Sequence, residues 1–192
     1  MQQTSHDDFL GNVAGNKAVL SDIQTLRARA RKHIESGAVT TGYAADRETV
    51  IRLLNEALAT ELVCVLRYKR HYFMAKGINS ESVKAEFLQH AKEEMVHADR
   101  IAKRIIELGG EPDFSPDGLS KRSHAEYVAG DTLNAMLKED LIAERIAIES
   151  YREMVNYLAN DDPTTQRMLK EILAMEEEHA EDLASLLEGM KT

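Results

Sequence analysis

Apolar residues recur at steps of three and four along four long segments, the repeat that lines one face of an α-helix. The first segment, about Thr49 to Lys76, carries Leu54, Leu58, Val65, Tyr68 and Tyr72 and stops at Gly77. The second starts near Ser80, ends at the pair Gly109 and Gly110, and carries Val83, Phe87, Ala91, Ala98, Ile101, Ile105 and Leu108. The third begins after Asp131 as N-cap, ends near Asn160, and carries Leu133, Leu137, Leu141, Ile148 and Val155. The fourth opens at Asp162-Pro163, with proline at the first helical position, and runs to about Met190 through Ile172, Leu183 and Leu186. Upstream, Ser21 as N-cap with Gln24 in a capping-box pattern predicts a short helix ending near Gly37. TTGYAAD (40–46) reads as a linker, and residues 1–20 are polar.

Only a few residues separate the first segment from the second and the third from the fourth, so each pair forms an antiparallel hairpin. Between the hairpins lies EPDFSPDGLSKRSHAEYVAG, which holds two of the three prolines and is long enough to run the length of a bundle. At about 1.5 Å per residue, such helices are about 40 Å long. The expectation is an all-α four-helix bundle, residues 46–192, made of two hairpins joined by one long crossover, with residues 1–45 as a helical N-terminal extension.

Each apolar stripe is broken by a glutamate. Glu61 interrupts the first, Glu94 the second, Glu144 the third and Glu176 the fourth, and His97 and His179 follow three residues after Glu94 and Glu176. Glu61 lies 17 residues before Ile78 in the first turn and Glu94 lies 16 after it, while Glu144 and Glu176 each lie 16 from Asn160. Equal distances from a turn mean equal heights in a hairpin. Four carboxylates therefore meet at one level of the core. Burying them together without cations costs several kcal/mol or more for each unpaired charge, and two divalent ions remove that cost. Carboxylate and imidazole at i, i+3 share a helical face and suit iron or manganese better than thiolate-seeking metals. With 21 glutamates and seven histidines, one Glu-x-x-His is expected by chance, so the weight rests on the second copy and its matching register.

Composition narrows the picture further. A chain of 192 residues supports one domain with a substantial core. The single cysteine, Cys64, excludes an internal disulfide and fits a reducing cytoplasm. MQQTSHDDFL lacks the basic start and apolar run of a signal peptide, and no apolar run is long enough to span a membrane. A formal charge of −9 argues against nucleic-acid binding and favours gathering cations. The locally basic RARARKH (27–33) reads as a solvated helix face.

With these residues in place, residues 46–190 resemble the ferritin superfamily, and bacterioferritins most closely, through ELVCVLRY, EEMVHADR, DLIAERI and EEEH. The resemblance implies a ferritin-like bundle that oxidises Fe(II) with O2 or H2O2 and stores the ferric product inside a homo-oligomeric shell. It assigns Glu61 and Glu144 as terminal carboxylates on two irons, Glu94 and Glu176 as bridges, and His97 and His179 as nitrogen ligands. Tyr68 matches a tyrosine beside the di-iron centre, and Met95 stands where that family carries its haem-ligating methionine. Only 13 residues follow His179, short of the fifth helix of a 24-subunit shell, so a twelve-subunit Dps-like shell or a dimer stays open beside the 24-mer. A manganese catalase-like or other di-metal peroxide-removing oxidoreductase is the alternative to the ferroxidase.

Other residues have plainer readings. Cys64 reads as core packing, and Tyr151, seven residues after Glu144 as Tyr68 is after Glu61, as either core or a second aromatic over the metal site. His71, His90 and His124 lack a glutamate at i−3 and default to the surface. Of the three, His90 is the best candidate for an auxiliary iron site, near Glu86, Glu93 and Glu94.

Overall fold

The structure is a computed structural model that describes residues 20–77 and 80–190. Ile78, the reference point for the first hairpin turn, lies outside the described residues. The elements are α1 (Ile23–Ala30), a 3-10 turn (Ile34–Ser36), α2 (Arg47–Met74), α3 (Ser80–Glu107), α4 (Leu119–Arg122), α5 (Leu133–Leu158) and α6 (Pro163–Gly189). Among the described residues there is no strand, and no helix is long and apolar enough to cross a membrane. The helices α2 with α3, and α5 with α6, form the two hairpins, and they pack most extensively on each other. The four-helix bundle with one long crossover and a helical N-terminal extension is the architecture expected.

The helix ends show how local chemistry sets the boundaries. The Asp46 carboxylate accepts the Thr49 amide at 2.8 Å, so α2 begins at Arg47, earlier than the apolar pattern places it. At the end of α3, Gly109 adopts φ +77°; its N–H bonds the Ile106 carbonyl and the Gly110 N–H the Ile105 carbonyl. That is the paired closure glycine allows at a helix C-terminus. Asp162 caps α6 through the Thr165 amide at 2.9 Å, with Pro163 at the first position. Three more expected ends differ. Asp22 rather than Ser21 caps α1, because its carboxylate reaches the amides of both Gln24 and Thr25. The helix stops at Ala30, well before Gly37. Thr132 rather than Asp131 caps α5, accepting the Ala135 amide at 3.1 Å.

The 40–46 segment does more than link. Tyr43 is half-buried against the apolar core and donates its hydroxyl to Asp162 at 2.9 Å, at the α5/α6 turn. The crossover is strapped along α2 rung by rung. Asn55 Nδ2 donates to the Glu111 carbonyl, Thr60 accepts the His124 amide, and Arg67 donates to the Glu126 carbonyl. Further along, Arg70 and His71 both meet the Ala129 carbonyl.

The core is two apolar blocks. One holds Leu54, Leu58, Ile101, Ile105, Tyr151, Leu158, Leu169 and Ile172; the other Tyr68, Phe87, Leu137, Leu183 and Leu187. Between them lie the six interrupting residues. The inward face of α5 is rotated from the expected stripe. Leu141 and Ile148 are only half-buried, while Asp140 is fully buried. Its Oδ1 accepts from Arg67 Nε at 2.7 Å and its Oδ2 lies 2.7 Å from His71 Nδ1. A buried carboxylate with a buried guanidinium and imidazole as partners is tolerated where a lone one is not.

Candidate metal centre

Glu61, Glu94, His97, Glu144, Glu176 and His179 are each 3% exposed or less, and the bundle brings all six together. They form two four-residue groups whose ligand atoms lie within 4.8 Å of one another: Glu61, Glu94, His97 and Glu176, and then Glu94, Glu144, Glu176 and His179. Glu94 and Glu176 belong to both. His97 Nδ1 lies 2.9 Å from Glu176, 3.4 Å from Glu61 and 3.5 Å from Glu94. His179 Nδ1 lies 3.3 Å from Glu94, 3.8 Å from Glu176 and 3.9 Å from Glu144.

Every one of the six has a buried polar atom with no hydrogen-bond partner: Glu61 Oε2, Glu94 Oε1, His97 Nδ1, Glu144 Oε2, Glu176 Oε1 and His179 Nδ1. Buried polar groups are otherwise almost always satisfied. Three of the remaining atoms, on Glu61, Glu144 and His179, are held in place by neighbours. Tyr151 donates to Glu61 Oε1 and Tyr68 to Glu144 Oε1, one tyrosine from each apolar block. Tyr151 is thus the second aromatic at the site, the mate of Tyr68. His179 Nε2 bonds Glu93 Oε2 at 3.0 Å, which orients the ring. The unsatisfied atoms face one another, and the satisfied ones fix them there. This donor set fits two divalent cations.

Without a cation the centre must neutralise itself with protons. Burial and the Glu94 charge push Glu61 up to about 8. Burial, Glu94 and Glu61 push Glu176 well above the carboxylate range. Burial and the Glu144 charge oppose ionisation of Glu94 too, but its close contacts with Glu61, His179 and His97 outweigh them and hold its pKa down. Burial disfavours both imidazolium ions, yet their contacts to Glu61 and Glu94 raise His97 to about 10, and those to Glu94 and Glu144 raise His179 to about 9.

The remaining residues of interest are also placed. Met95 is 39% exposed, on the outer face of α3. Cys64 is buried core, 3.6 Å from Arg67 Nη2. The default of a surface position fails for two histidines: His71 is fully buried on Asp140 and His90 is 1% exposed. His124 is exposed, as expected, with its Nδ1 3.1 Å from Thr60 Oγ1. Sequence spacing misses Asp140, Arg67 and His71 because their partners lie on other helices, far along the chain.

Comparison with known proteins agrees with this geometry. Residues 51–192 match the ferritin family model, described as a ferritin-like domain. The bacterioferritin of Mycobacterium bovis is 31% identical over 142 residues, 73% of this chain and 85% of the relative. The DNA protection during starvation protein of Pyrococcus furiosus is 33% identical over 150 residues, 75% and 80% of the two chains. Among solved structures, a dodecameric thioferritin, the bacterioferritin-related protein from Bacteroides fragilis, superposes with TM-score 0.74 at 34% identity, covering 77% of this chain and 89% of that one. Bundle topology, buried carboxylate belt and sequence match all lead to the same place: the chain belongs to the ferritin-like family.

Proposed function

We propose that this chain is the subunit of an iron-storing homo-oligomer and that its core glutamates and histidines form a ferroxidase centre for two Fe(II) ions. The observation that carries the reading is the set of six unsatisfied buried atoms, one from each of six residues, arranged as two groups sharing two carboxylates. Glu61 with His97 would bind one ion, Glu144 with His179 the other, and Glu94 and Glu176 both. Fe(II) is the substrate. Two ions each give up one electron to O2, which takes two protons to become H2O2, or to H2O2, which takes two protons to become water. The four carboxylates favour the more highly charged ferric product. Tyr68 and Tyr151 act as positioning residues that hold Glu144 and Glu61 by their hydroxyls.

Storage needs a shell, and the relatives named above include a dodecamer. Leu66, Met95, Val96 and Ile142 are apolar and exposed on α2, α3 and α5, and are the surface neighbouring subunits would cover. Met95 is also the residue that the bacterioferritin resemblance assigns to haem; a sharp Soret band after expression with haem supply tests that assignment. The acidic net charge of −9 weighs against DNA as a direct ligand.

The deciding experiment is an anaerobic Fe(II) titration of the metal-free chain, followed by admission of O2 under an absorbance monitor. Saturation near two irons per chain and a fast near-ultraviolet ferric band are expected. Absence of saturable binding overturns the reading. Vigorous O2 release from peroxide by the manganese-loaded protein, with slow iron oxidation, would replace it by the catalase alternative.

A further inference from the structure

Beside the buried centre, toward solvent, lies a second cluster that the six-ligand site does not use. His90 on α3 is 1% exposed, yet its Nε2 has no hydrogen-bond partner. That nitrogen lies 3.2 Å from Glu86 Oε1, one turn earlier on α3, and 3.8 Å from Asp182 Oδ2 of α6. Glu86 is half-buried and Asp182 is exposed, so the cluster opens outward.

The other side of the ring fixes its tautomer. His90 Nδ1 lies 3.2 Å from the Tyr68 hydroxyl oxygen. Tyr68 gives its one hydrogen to Glu144, so its oxygen accepts, and Nδ1 carries the proton. A neutral imidazole protonated at Nδ1 presents its lone pair at Nε2. That is the ligating form, and its Nε2 lies within ligand spacing of two carboxylates. Glu86 is pushed up by burial and by the facing Asp182 and Glu93 carboxylates, a repulsion that a cation at this spot would reverse.

We propose that Glu86, His90 and Asp182 form a separate divalent-cation site at the solvent edge of the α3/α6 pair, and that Fe(II) bound there passes inward to the buried centre. One imidazole and two carboxylates leave positions for water on a six-coordinate ion, which suits Fe(II) or Mn(II) and favours exchange over retention. The path inward is short. The His90 ring stacks on His179 with centroids 4.0 Å apart. Glu93, already 3.0 Å from His179 Nε2, forms a third ligand-spaced group with His90 and His179. Glu93 can therefore turn from one imidazole to the other and hand an ion across. Binding at the outer site stands on its own geometry; only the inward transfer rests on the ferroxidase reading.

The test uses crystals of the full chain and of the E86Q/D182N double variant, both soaked in Co(II), with anomalous difference maps. Both substitutions are at surface-accessible positions and keep side-chain shape, so the fold is retained. The expected result is a peak between Glu86, His90 and Asp182 in the parent that the variant lacks, with peaks at the buried centre in both. The variant should also need more Fe(II) to reach half-maximal oxidation. A loaded buried centre with no outer peak overturns the site, and an outer peak whose loss leaves the iron dependence unchanged overturns the transfer. An outer peak without any at the buried centre would keep this site and reject the ferroxidase centre instead.

Discussion

The strongest consequence of the buried carboxylates is that they weaken the metal-free fold, and Glu61→Gln measures by how much. In the unfolded chain Glu61 ionises at its ordinary 4.5; in the folded chain burial and Glu94 raise it to about 8. Below pH 4.5 both states hold the proton and nothing is gained or lost. Between 4.5 and 8 the unfolded chain releases the proton while the folded one keeps it, so stability falls as pH rises, by ~1.4 kcal/mol per pH unit. Above 8 both states are ionised and the penalty is constant. At pH 7 the penalty is about 3 kcal/mol, and it levels off near 5 kcal/mol above pH 8. Glutamine is close in shape to the protonated acid and can still accept the Tyr151 hydroxyl. Glu61→Gln should therefore stabilise the metal-free protein by these amounts, while lowering its affinity for divalent ions. Urea unfolding of parent and variant at pH 5, 6, 7 and 8, at one subunit concentration, reads the difference directly. A variant no more stable than the parent at pH 7, or an advantage that does not grow with pH, would refute the argument that these carboxylates are held against their own desolvation.

Other consequences can be checked as readily. Asp140→Ala leaves Arg67, 1% exposed, without its carboxylate and should cost about 3–5 kcal/mol, visible as a lower urea midpoint; a loss below about 1 kcal/mol would show that Arg67 is satisfied by the Glu126 carbonyl alone. Because Glu61, His97 and His179 hold protons that a cation must displace, Mn(II) affinity should rise with pH from 6 to 8, by about tenfold per unit for each proton released; a flat profile in parallel titrations would contradict this. Glu94→Ala removes a carboxylate common to both groups and should abolish rapid iron oxidation in stopped-flow absorbance, whereas persistence of the fast phase would refute the centre. Ala159 closes α5 at φ +42°, so Ala159→Gly should raise the thermal midpoint through about 1 kcal/mol of relieved strain, and a lowered midpoint would deny it.

The sequence by itself determined the four long helices, their pairing and the six residues of the buried belt. It could do so because the relevant signals are local or symmetric: an apolar repeat of 3.6, glycine and proline at helix ends, and two matched Glu-x-x-His registers counted from two short turns. It did not determine which charged residues beside the belt are core. Asp140 and Arg67 lie 73 residues apart and are buried only because α2 and α5 pack face to face, with His71 beside them. Taken one helix at a time, such side chains look like an exposed face. The same holds for His90, whose neighbours Tyr68 and Asp182 sit on other helices. A periodic pattern fixes how a helix faces its core, but whether a buried polar group is tolerated is decided by partners that only the folded chain assembles.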